Sequence, residues 1–219
     1  MPPNPTPGDA STHPGTTHPA TRRHNVVIAG HLGQLSVAQA GLADSEPQIR
    51  AAALAALERL GALTTQELSD GLSDPAVATR RRAALIASNR ADLLTDLCRL
   101  LNDADDSVVE VAAFACGERT DADLTTVHML ASVAVEHGDA LCREAAVAAL
   151  GSIGNPAGVH AVIAGCSDRA TVRRRAVLAL ATFEGPEVTA MLNKLTKDRD
   201  LQVRQAAEEL LAIELGEQL

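Results

Sequence analysis

Tryptophan and tyrosine are absent from the 219 residues, and Phe114 and Phe183 are the only phenylalanines. A core without large rings has to be built from Ala, Leu, Val and Ile, whose small side chains let helices approach closely. That favours stacked helical hairpins over one large central core. The same shortage removes the aromatic platforms on which proteins stack exposed bases. Positive charge is scarce too: 19 Lys and Arg stand against 28 Asp and Glu, for a net charge of −9. Attachment to nucleic acid or an anionic membrane needs clustered positive charge, so neither is expected.

No apolar run approaches the ~18 residues of a membrane span. The first 24 residues lack the apolar centre of a secretory signal, because Pro, Thr, Gly and His dominate them. The expectation is a cytoplasmic protein with reduced thiols. Cys98, Cys116, Cys142 and Cys166 form no C-x-x-C pair and sit in apolar helical patterns, so they read as small core residues. No Gly-rich phosphate loop precedes a helix, and no Ser-His-Asp or Cys-His pairing follows from spacing. No catalytic residue, metal or cofactor is expected.

What the chain does contain is a repeat. Six of its ten prolines crowd into a leading segment, residues 1–24, which reads as a disordered tail; residues 25–219 read as the folded domain. Six lines of that domain align: DSEPQIRAAALAAL from Asp44, DPAVATRRRAALIA from Asp74, DADDSVVEVAAFAC from Asp103, HGDALCREAAVAAL from His137, SDRATVRRRAVLAL from Ser167 and DRDLQVRQAAEELL from Asp198. The equivalent positions Arg50, Arg80, Val109, Arg143, Arg173 and Arg204 are separated by 30, 29, 34, 30 and 31 residues. Each unit reads as two helices. The second opens at the Asp break, where Asp74 and Pro75 supply an N-cap and a first helical position. In the first helices, Leu94, Leu97, Cys98 and Leu101 make one apolar stripe at helical spacing, as do Val188, Met191, Leu192 and Leu195. Gly61, Gly117, Gly151 and Gly154 read as C-caps of second helices.

The D-x-x-x-x-V-R-x-x-A-x-x-A-L pattern of these lines resembles the HEAT-repeat family, in its short phycobilin-lyase-type form, over residues 33 to 215. The resemblance implies an all-α fold, a right-handed α-solenoid of the ARM/HEAT type with six helical-hairpin repeats. It also implies a structural ladder in which Asp44, Asp74, Asp103 and Asp198 link neighbouring repeats to Arg50, Arg80, Arg143, Arg173 and Arg204. Val109 and His137 depart from the pattern in repeats three and four, so the ladder is expected to break there. The 34-residue interval implies a longer first helix or turn, roughly Asp121 to Glu136, and a local change of curvature. On function the resemblance implies mostly a scaffold, only occasionally an enzyme. The iron-binding His-Glu dipeptides of the HEAT-fold deoxyhypusine hydroxylases are missing, as is the aromatic, basic face of the HEAT-fold DNA glycosylases.

One position beyond the Arg of each second helix, Ala51, Arg81, Glu110, Glu144, Arg174 and Gln205 should face solvent. Arg81 is expected to pair with Glu110 and Glu144 with Arg174, or else to meet a partner. The triplets Arg80-Arg81-Arg82 and Arg173-Arg174-Arg175 suit carboxylate or phosphate recognition. Leu54, Leu85, Val147 and Val177 are candidates for an apolar groove on the inner curve. Glu208, Glu209, Glu214 and Glu217 suit a polar end-cap, whereas Val26, Val27, Ile28 and Leu32 make the other end apolar: a folded cap over residues 25–32, or a contact between copies. The functional expectation is a non-catalytic scaffold holding a protein or peptide on its concave second-helix surface, with Arg81, Arg82, Glu110, Glu144, Arg174 and Arg175 as candidate contacts. The alternative is a HEAT-type enzyme or bilin-lyase-like subunit acting with a partner chain.

Overall fold

The computed structural model describes residues 18–120 and 122–216, and every regular element in them is helical. In chain order these are α1 (Pro19–Leu32), α2 (Leu35–Gly41), α3 (Pro47–Arg59), α4 (Thr65–Leu72), α5 (Val77–Ala87), α6 (Leu94–Arg99), α7 (Asp106–Gly117), α8 (Leu124–Glu136), α9 (Ala140–Ile153), α10 (Val159–Gly165), α11 (Ala170–Ala179), α12 (Pro186–Leu195) and α13 (Leu201–Gly216). The even-numbered helices are first helices, each packed on the odd-numbered helix that follows it. The odd-numbered helices also pack on one another in sequence, α1 on α3 through to α11 on α13. The chain is an α-solenoid whose spine is this layer of second helices.

The residue before each ladder position points into the core: Ile49, Thr79, Val108, Cys142, Val172 and Val203 are all buried. Next to it, the arginine fixes neighbouring hairpins by three sets of bonds. In α3 the Arg50 Nη1 donates to the Asp44 and Ser45 carbonyls of its own loop, at 2.9 and 3.1 Å. The Nε and Nη2 edge donates to both carboxylate oxygens of Asp74 in the next loop, each at 2.7 Å. The Asp74 carboxylate in turn accepts from the Ala76 N–H. Arg80 with Asp103, Arg143 with Asp168, and Arg173 with Asp198 repeat the pattern. A planar guanidinium held on two sides has little freedom, so each rung sets the offset of one hairpin from the next.

Two rungs depart from expectation. Arg22, inside the segment read as a tail, binds Asp44 at 2.8 Å as the first rung, and Pro19 opens α1. Thr-Arg-Arg at residues 21–23 and Ile-Ala at 28–29 match Thr-Arg-Arg at 79–81 and Ile-Ala at 86–87. α1 is therefore a second helix, and proline-rich composition conceals it in the sequence. The rest of the expected tail, residues 1–17, lies outside the described residues. Arg143 is met by Asp168, an acceptor the sequence alignment did not single out. Helix α5 starts at Val77 rather than Pro75, because the Asp74 carboxylate is engaged by Arg50 and the turn amide.

Between α7 and α9 the rung is absent on both sides. Val109 is buried in the arginine position. His137 stands in the aspartate position and keeps its turn function, accepting the Asp139 N–H on Nδ1 at 3.1 Å, while its carbonyl accepts from Arg143. Losing both charges together leaves neither one buried without a counterion. The expected lengthening appears here as α8, whose 13 residues exceed the six to ten of the other first helices.

Gly117 and Gly151 are helical and do not serve as C-caps; left-handed glycines follow the second helices at Gly33, Gly61 and Gly154. A Cβ on Gly117 would stand 2.7 Å from the Ala149 Cα, and one on Gly151 2.9 Å from the Ala179 Cα. Gly30 meets Ala56 at the same register, so α1–α3, α7–α9 and α9–α11 are the tightly apposed junctions. A second set of bonds ties the far ends. The Arg119 guanidinium, buried, donates to the Ala87 and Arg90 carbonyls at 2.8 Å, and the Thr182 hydroxyl donates to the Gly151 carbonyl at 2.9 Å.

The missing rung can be rebuilt. Val109→Arg alone should destabilise by about 2 kcal/mol, since it places a charge without a carboxylate among buried groups. Val109→Arg with His137→Asp should recover most of that loss in chemical denaturation; a double variant no more stable than the single would show that the rung geometry is not available there. The ladder also sets the acid limit. The Arg22 hydrogen bond holds Asp44 at about 2, and Arg80 and Arg143 pull Asp103 and Asp168 below the usual carboxylate range. At Asp74 and Asp198 burial pushes upward, but Arg50, Arg173 and the loop amides outweigh it. These groups bind protons more weakly folded than unfolded, so their contribution is intact above about pH 4 and lost as pH falls toward 2. Calorimetry should show a Tm nearly flat down to about pH 5 and falling steeply below pH 4.

Candidate functional site

The second helices turn one face to solvent along their whole series. Counting from the ladder position, the fifth residue onward is Val27, Ala55, Leu85, Phe114, Ala148 and Leu178 in α1 to α11. Leu85 is 39% exposed, Phe114 52% and Leu178 56%. The row one residue earlier, with Leu54, Val147 and Val177, is buried against neighbouring helices, so of the four residues expected on an apolar groove only Leu85 is exposed. A helix turns 100° per residue, and that single step separates the core-facing row from the open one.

Concavities are cut into this face at one register; a shallow one of about 190 Å³ between α9 and α11 is walled by Ala148 and Leu178 with few charged groups, and two others carry charge. The larger, of about 460 Å³, lies between α7 and α9; Phe114, Val111 and Leu141 give it apolar walls and Glu110, Glu118 and Glu144 its charge, with Arg175 reaching in from α11. The other, of about 240 Å³, lies between α1 and α3, with Val27 and Ala55 on its walls and Arg23, His31, Arg59 and Arg82 around it. Position by position they correspond: Arg23 with Glu110, Val27 with Phe114, His31 with Glu118, Gln48 with Leu141, Ala51 with Glu144, and Arg82 with Arg175. Both occur where a glycine brings the second helices close, Gly30 against Ala56 and Gly117 against Ala149.

The candidate contacts are thus divided. Glu110, Glu144 and Arg175 come together in the central groove, Arg82 joins the other, and Arg81 is exposed beside the row. Neither expected pair forms. Glu144 faces Arg175 at 3.7 Å, and Arg174 is drawn to Asp200 in the next loop at 2.6 Å. Successive second helices are offset so that the first position beyond one ladder residue meets the second position beyond the next. Arg23 and Arg59 were not foreseen, since Arg23 fell in the presumed tail and Arg59 sits nine residues past its ladder arginine.

Residues 127–212 match the HEAT-repeat family. Among solved structures it is similar to a designed armadillo repeat protein in complex with the peptide (KR)4, at 17% identity and TM-score 0.61 over 81% of this chain and 98% of that one. It is similar to an engineered protein at 18% identity and TM-score 0.58, over 81% and 97%. Human deoxyhypusine hydroxylase in complex with glycerol aligns at 20% identity and TM-score 0.47, over 90% and 80%. These likenesses concern the fold. Among curated proteins none matches in sequence.

Elsewhere in the chain the thiols are enclosed. All four cysteines are free and buried. Burial pushes the Cys142 and Cys166 thiols up to about 12. Cys98 Sγ lies 3.3 Å from the Thr126 hydroxyl. No group of three or more His, Cys, Asp and Glu among the described residues stands within reach of one metal ion, and no helix there is long and apolar enough to cross a membrane. The expected polar end is partly in view: Glu208 and Glu209 are exposed on α13, and Glu217 lies outside the described residues. At the other end α1 buries Val26 and Ala29 against α3 and leaves Ile28 and Leu32 exposed.

A disulfide-exchange reagent should therefore modify fewer than one of the four thiols in the native protein and all four in guanidinium chloride. Rapid native modification of Cys98 would show that the α6–α7 interior opens.

Proposed function

We propose that this protein is a non-catalytic scaffold that holds a peptide or protein segment across its second-helix face. The observation that carries the proposal is the open apolar row from Val27 to Leu178, which crosses from helix to helix and runs through both charged grooves. A large exposed apolar feature rimmed by charge is the surface form of a recognition site. Rows of this kind suit a segment laid at right angles to the helices, with one side chain seated at each junction. That a designed repeat protein of similar fold is solved in complex with a peptide supports the reading. The enzymatic alternative, a HEAT-type enzyme or bilin-lyase-like subunit, draws no support from this face.

Peptide phage display on the immobilised chain tests the proposal. Wild-type protein should enrich sequences that bind in solution, and Phe114→Ser with Leu178→Ser should weaken them at least tenfold without lowering Tm, since both side chains are more than half exposed. Selected peptides that bind the double variant as tightly would place recognition elsewhere and defeat the proposal.

A further inference from the structure

We infer that the segment held across this face is bipolar, with acidic residues over α1, α3 and α5 and, about eight residues away, basic residues beside an apolar side chain over α7 and α9. The inference rests on the scaffold reading and adds the chemistry of the partner. Its ground is the recurrence of one groove with opposite charge. Where the first junction carries Arg23 and His31, the fourth carries Glu110 and Glu118, around equivalent apolar walls.

The basic groove stands out against the composition. Five arginines, Arg22, Arg50, Arg80, Arg143 and Arg173, are held in rungs, whereas Arg23, Arg59 and Arg82 have no carboxylate within ion-pair range among the described residues, in a protein of net charge −9. Unpaired guanidinium groups around a concavity suit carboxylates, which they bind bidentately. In the central groove Arg175 engages Glu144, whereas Glu110 and Glu118 face the opening without a cation, beside Phe114 and Leu141. That combination suits a Lys or Arg next to an apolar side chain.

Spacing links the two sites. They lie three second-helix intervals apart, about 24–30 Å for helices packed at ~8–10 Å. An extended chain advances ~3.3 Å per residue, so about seven to nine residues join them. The apolar row between them, through Leu85, gives the connecting residues a track. A uniformly charged polyanion such as nucleic acid would meet repulsion at the glutamates, so the fitting occupant is a peptide of mixed charge.

Fluorescence anisotropy with synthetic peptides tests this. The set holds an acidic and a basic cluster separated by eight apolar-containing residues, in both orders; the same clusters at half the spacing; and peptides with both clusters acidic or both basic. One bipolar order at full spacing should bind at least tenfold tighter than all others. Arg23→Glu with Arg59→Glu, and separately Glu110→Lys with Glu118→Lys, should abolish that margin, and all four together should transfer it to the reversed order. Equal binding across the set, or none, overturns the inference, as does displacement by a single-stranded oligonucleotide or self-association through this face. Phage-selected peptides that depend on Phe114 and Leu178 but lack the charge pattern would sink the bipolar partner and leave the scaffold standing.

Discussion

The structure depends on one interaction, the guanidinium of a second helix held between its own loop carbonyls and the carboxylate of the next loop. A rung such as Arg143 with Asp168 forms at 2.6 Å with both side chains mostly enclosed. It contributes more than an exposed pair, which is worth ~0–1 kcal/mol, because solvent screens it less. Its larger effect is geometric. The rungs fix the offset of one hairpin from the next, and with that offset the same residue positions recur along the surface of the second helices.

Where the rung is missing, packing takes over. Val109 and His137 remove the charges together, and Gly117 against Ala149 draws α7 and α9 into close contact, as Gly151 against Ala179 does for α9 and α11. The central groove opens above this junction. The central groove and the one uncharged rung therefore share a junction, although the groove between α1 and α3 opens where the Arg22–Asp44 rung is intact.

Net charge proves a poor guide to such a surface. The total of −9 argues against anionic ligands, yet Arg23, Arg59 and Arg82 surround one concavity. Formal charge averages over the molecule, while most arginines are cancelled locally by rungs and loops. What a partner meets is the remainder, which is sorted by repeat.

The sequence by itself determined the period, the helical hairpins, the rung arginines and the break at Val109 and His137, because each is a local pattern repeated at nearly constant spacing. Counting also set Glu110 and Glu144 on the solvent side, since helical geometry follows from spacing, while Arg175 was singled out only as part of an arginine triplet. The sequence did not determine the start of the fold: Arg22 lies among prolines and its partner is 22 residues away. Only the tertiary structure decided that Glu144 faces Arg175 rather than Arg174, that Gly117 and Gly151 are contact points, and that Arg23, Arg59 and Arg82 converge from three helices. Those outcomes turn on the offset between helices, a rotation of one residue, which no pattern within a single repeat can record.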